Sequence, residues 1–117
     1  MSKLRNKVQI IGFAGKNPEI RPLNNNVMAR LSVATNDFYT TKNGRRIEET
    51  NWHSIVLWGK QAEYAQENIR KGTEVAIEGR LVNRSYEDKN GRKVFVTEIS
   101  VNEIYVVSQR EDEARLA

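Results

Sequence analysis

Period-two alternation runs through most of the chain and is broken once. Between Val27 and Thr35, Val27, Ala29, Leu31 and Val33 fall on one face, and Met28, Arg30 and Ser32 on the other. That is the signature of a half-buried strand. Similar reasoning predicts strands over 7–14, 50–58, 73–86 and 93–107, with Gly12 marking a bulge or bend in the first. Pro18 and Pro22 bracket what reads as an irregular link, and Asn24-Asn25-Asn26 reads as a turn. Asn43-Gly44 and Asn90-Gly91 mark two more turns, the second in a hairpin setting. The break is KQAEYAQENIRK, residues 60–71, which is rich in helix formers. Ala62, Ala65 and Ile69 share a face at helical spacing, and Gly72 is placed as the C-cap behind Arg70 and Lys71.

The element order is therefore three strands, one helix, two strands. An all-β chain with one helix between strands 3 and 4 has the order of the oligonucleotide-binding (OB) fold, a five-stranded Greek-key barrel. Other small α+β folds share it. The 117 residues suffice for one domain and one core. Alternation stops near Ser108, so the expected division is a domain over 1–108 and a short charged tail over 109–117.

Composition removes several kinds of chemistry. There is no cysteine, hence no disulfide scaffold, cysteine-ligated zinc or thiol nucleophile. The one histidine, His53, cannot build a multi-histidine metal site within one chain. Asp37, Glu48, Glu49, Glu87 and Asp88 fall in or beside turns, a poor basis for a metal-dependent nuclease. No catalytic residue, metal or cofactor is expected. No apolar run approaches the ~18 residues of a membrane span, and the amino terminus lacks a signal-peptide pattern. The expected location is the cytoplasm, in association with the nucleoid. The formal net charge is +4, a modest lean toward polyanionic partners.

Aromatic and cationic residues interleave. Trp52 and Trp58 are six apart on one strand and share a face. On the fourth predicted strand Arg80, Arg84 and Tyr86 share one parity, while Val75, Ile77 and Leu81 share the other and read as core. Phe38 and Tyr39 follow the second strand, Lys60 follows Trp58, and Lys71 closes the helix. Single-stranded nucleic acid asks for rings on which bases stack and cations along the backbone track. A tryptophan on a half-buried strand is more often core or interface, and a strand arginine can simply be solvated. The grouping on one small barrel is what favours a ligand face.

Four stretches carry a family resemblance: NKVQIIGFAGKNPEIR (6–21), LSVATND (31–37), TNWHSIVLWGKQAEYAQENIRKG (50–72) and VAIEGRL (75–81). Over about residues 3–107 the chain resembles the bacterial-type single-stranded DNA-binding protein family. The resemblance implies an OB fold, a homotetramer, and wrapping of single-stranded DNA with little sequence preference in replication, recombination and repair. It implies base stacking at Tyr39 (or Phe38, since the following loop is a residue shorter), Trp52, Trp58 and Tyr86. Tyrosine stands at positions 39 and 86 where the family often has tryptophan, and Trp58 where phenylalanine is common. Phosphate contacts are implied for Lys60, Lys71, Arg84, Lys3, Arg5 and Lys7. Ser54 and Val82 replace frequent arginines, for which Arg80 is a candidate substitute. His53 is implied to lie near a subunit interface. The usual acidic tip ending in phenylalanine is absent from QREDEARLA, so tail-mediated recruitment of replication and repair proteins is not carried over. Two alternatives stay open: an interaction module of a replication-restart or recombination complex, and RNA in place of DNA.

Overall fold

A computed structural model describes residues 5–109. Seven elements follow one another: β1 (Val8–Ala14), β2 (Glu19–Leu23), β3 (Asn26–Thr40), β4 (Arg46–Trp58), α1 (Lys60–Asn68), β5 (Thr73–Glu87) and β6 (Lys93–Gln109). The strands are ordered β1-β5-β6-β4-β3-β2, and a second pairing of β1 with β3 closes the sheet. Five strands thus form a closed barrel, with β2 an extra edge strand on β3. The pairings are antiparallel except β4 with β6, which is parallel through Ile55↔Ile99 and Val56↔Ser100. This is the expected OB fold. The helix falls between β4 and β5 rather than between strands 3 and 4 because β2 adds one to the count.

That extra strand corrects the expected irregular link. Residues 19–23 pair with β3 from Glu19↔Arg30 to Leu23↔Asn26. Pro22 lies opposite Val27, and its missing N–H is tolerated because β2 pairs on one side alone among the described residues.

The interior is filled by the parity sets that alternation predicts. Val33, Ile55, Leu57 and Val75 are essentially inaccessible to solvent, and full burial of each such side chain stabilises the fold by roughly 1.5–3 kcal/mol. Ala62, Ala65 and Ile69 join the same core cluster, which anchors a helix of nine residues too short to persist alone. The helix ends sooner than expected. Ile69 is its cap and is already extended, because its side chain is drawn into the core. Gly72, with φ of 91°, therefore serves a later turn and is not the C-cap. Arg70 still donates from Nη1 to the carbonyls of Gln66 and Ile69, both at 2.8 Å.

Two close approaches require glycine. A Cβ on Gly12 would lie 2.2 Å from the carbonyl oxygen of Ala34, and one on Gly79 would lie 2.2 Å from that of Ser100. Gly12 is where β1 bends from β5 toward β3. Gly79 is where the β5–β6 register shifts. Beyond Gly79 the hairpin outgrows the barrel. Leu81, expected in the core, is consequently exposed, and its backbone is held at the surface by Asn6, whose side chain exchanges hydrogen bonds of 3.0 and 3.2 Å with it.

The two long hairpins turn in the same way. Thr41 N–H donates to the Arg45 carbonyl at 2.8 Å, and Asp88 N–H to the Arg92 carbonyl at 2.9 Å. In each loop the first residue's side-chain oxygen also caps backbone: Thr41 Oγ1 accepts from Arg45 N–H, and Asp88 Oδ1 from Asn90 and Arg92 N–H. Gly44 and Gly91 have φ of 80° and 77°, as expected for the Asn-Gly turns.

Candidate nucleic-acid interface

The register of β3 and β4 is unbroken from Met28↔Trp58 to Thr40↔Arg46. Side chains directly opposite share a face, so Trp52, Trp58 and Phe38 project from the same side of this ribbon. Tyr39 lies opposite Ile47 on the other side. Parallel pairing of Val56 with Ser100 carries the face onto β6. Pairing of Arg80 with Ser100, Arg84 with Val96 and Tyr86 with Val94 carries it onto β5. Phe38, Trp52, Trp58 and Tyr86 are all between 45% and 61% exposed. This is unusual for four large rings on one face of a small domain.

Each ring has a local support. Trp52 rests on the backbone at Gly15, where a Cβ would come within 2.4 Å of the indole Cζ3. The Arg46 guanidinium sits 4.4 Å from the centre of the Phe38 ring, and that of Arg84 lies 5.8 Å from the centre of Tyr86, both in cation–π range. Trp58 forms a wall of a recess of about 390 Å³ that Met28, Arg30, Val56, Arg80, Val82, Arg84, Glu98 and Ser100 complete.

Charge in the recess is organised by Glu98. Its carboxylate accepts from Arg84 Nε at 2.8 Å and from Arg84 Nη2 at 3.4 Å, and it also accepts from Arg30 Nη1. Arg84, then Arg30, hold the Glu98 carboxyl below the usual carboxylate range, although burial pushes the other way. The same hydrogen bond raises the pKa of Arg84.

The remaining expected site residues are more scattered. Lys60 opens α1 two residues after Trp58 and is exposed, as is Arg5 ahead of β1. Lys71 is exposed beyond the helix, with its backbone N–H on Asn17 Oδ1 at 2.8 Å. Lys7 is not brought into the recess: it pairs with Glu78 at 3.0 Å. Glu78 is held below its ordinary pKa by Gln9 first and Lys7 second. Lys3 lies outside the described residues. His53 is half-buried, and its Nε2 is 2.9 Å from Thr35 Oγ1.

Reasoning from sequence missed Arg30, Arg46 and Glu98, and the pair Lys93–Phe95, in which the ammonium lies 5.4 Å from the ring centre. Outward parity was readable for Arg30 and Glu98. Their meeting was not, because it depends on strands 68 residues apart in sequence. Among the described residues no cluster of three potential metal ligands occurs, and no helix is long and apolar enough to cross a membrane.

The same architecture is found in a Plasmodium falciparum SSB solved in complex with single-stranded DNA. The two match with a TM-score of 0.81 at 28% identity, over 92% of this chain and 99% of that one. The family model for the single-strand binding protein family matches residues 5–107, and the chain therefore belongs to that family.

Proposed function

We propose that the protein binds and coats single-stranded DNA without sequence preference, in replication, recombination and repair. The observation that carries this reading is the continuous outer face of β3, β4, β5 and β6, where four exposed rings alternate with Arg30, Arg80 and Arg84. A π face accepts any base, and guanidinium groups meet phosphate through several N–H donors. Phe38 or Tyr39, together with Trp52, Trp58 and Tyr86, act as stacking platforms. Lys60, Lys71, Arg80, Arg84, Arg5 and Lys3 supply cationic contacts along the strand. No bond is made or broken in this activity.

Assembly as a homotetramer is part of the same proposal. On the opposite side of the barrel Ile11, Ala76 and Tyr105 form one cross-strand row through the pairs Ile11↔Ala76 and Ala76↔Tyr105. Ile11 and Tyr105 are more than 60% exposed, a row suited to burial against another copy. His53 is assigned to packing or an interface, in keeping with its bond to Thr35. Sedimentation at micromolar concentration tests the assembly, and a monomer would remove it.

Trp58→Ala tests the stacking role. Binding to a labelled oligo-dT, followed by anisotropy, is expected to weaken by about 1–3 kcal/mol. Unchanged binding would instead favour an interaction module, and competition with an RNA oligomer of equal length decides between the two nucleic acids.

A further inference from the structure

Among the described residues Glu98 is the one buried charged side chain, and it lies on the face that carries the arginines. An acid at the centre of a polyanion-binding surface opposes the ligand by simple Coulomb repulsion. Its contacts suggest a different account. Arg84 engages Glu98 side-on, through Nε and Nη2. This uses two of the five N–H donors of a guanidinium and leaves the others for a ligand. The same Arg84 lies over the Tyr86 ring, 5.8 Å from its centre, so the carboxylate that holds Arg84 also fixes the cation beside a stacking ring. Arg30 is tied to the second carboxylate oxygen.

We propose that Glu98 is a positioning residue for single-strand binding, a brace that holds Arg84 and Arg30 in the orientation in which they meet the phosphate backbone. This rests on the reading of the face given above. The brace stays closed in the complex, because drawing both arginines away would strand a buried, unpaired carboxylate. The carboxylate thus raises affinity although it subtracts a positive charge from the face.

The sign of one substitution separates the brace from plain electrostatics. Glu98→Gln keeps the shape and removes the negative charge, but it turns an amide NH₂ toward a guanidinium. With a brace, the Kd for oligo-dT rises about three- to tenfold, the order of one weakened charge-assisted hydrogen bond. The slope of log affinity against log salt also becomes shallower by about 0.7, as one ordered phosphate contact is lost. A merely structural role would not shift that slope. Glu98→Asp keeps the charge and shortens the reach, so it too is expected to weaken binding and serves if the glutamine variant does not fold. If the wild type binds and Glu98→Gln binds as tightly or more tightly, with an equal or steeper slope, the brace is overturned. The same holds if Glu98→Asp binds like the wild type. A wild type that fails to bind any single strand overturns the reading of the face, and the brace with it.

Discussion

The indole of Trp52 occupies the space that a side chain on Gly15 would need, with a Cβ there only 2.4 Å from the ring's Cζ3. The absence of a side chain in the loop after β1 therefore sets where a ring on β4 can lie. Gly15→Ala is expected to lift the indole from its seat and weaken oligo-dT binding, by at most the roughly 1–3 kcal/mol that removal of a stacking ring costs. Anisotropy titration checks this, with Trp52→Ala as the reference. A fully retained affinity would show that the seat does not matter.

Phe38 and Tyr39 are adjacent but face opposite ways, since Phe38 shares its side of the ribbon with Trp52 and Trp58. Phe38→Ala is expected to lose about 1–3 kcal/mol of binding and Tyr39→Ala clearly less. The reverse ranking, measured with the same oligonucleotide, would place the strand's path over the back of the ribbon.

Gly79 tolerates no side chain, because the obstacle 2.2 Å from its would-be Cβ is a backbone carbonyl in the neighbouring strand. Gly79→Ala is expected to destabilise the barrel by about 1–3 kcal/mol, the usual scale of overpacking. Urea unfolding provides the measurement, and an unchanged midpoint would contradict it.

Acid stability follows from Glu98. Its folded-state pKa is depressed by the hydrogen bond from Arg84 first and the one from Arg30 second. Its contribution is thus fully present above the ordinary carboxylate value and is lost as pH falls through the folded one. Unfolding free energy is expected to drop as pH falls below the ordinary carboxylate value, and to drop less in Glu98→Gln. Glu78 acts in the same direction, but it is partly exposed and its share is correspondingly screened. Equal pH dependence in the wild type and the variant would show that the ion pairs contribute nothing.

Strand alternation made the barrel legible, because Val27, Ala29, Leu31 and Val33 each have one side on which they can be buried. What escaped was whatever depends on where a strand runs out of barrel. Leu81 has core parity, yet about half of it stays exposed among the described residues once β5 extends past Gly79. β2 was hidden by Pro22, whose cost vanishes at an edge. The helix end was misplaced because Ile69 serves the core better in an extended conformation than in another helical turn. For the candidate interface, Trp52, Trp58, Arg84 and Tyr86 were readable from parity alone. The Glu98 network was not, since a lone outward glutamate carries no mark of the two arginines it will meet.

Single-strand binding is read out by the two tryptophans themselves, both partly exposed on the proposed face. Their fluorescence is followed during titration with oligo-dT at two salt concentrations, with duplex DNA as the control. Strong quenching by the single strand is expected, with none by the duplex. Affinity should fall with salt at a log–log slope of about −0.7 per phosphate neutralised. Absence of quenching by any single strand would contradict the account and leave Trp52 and Trp58 as packing residues.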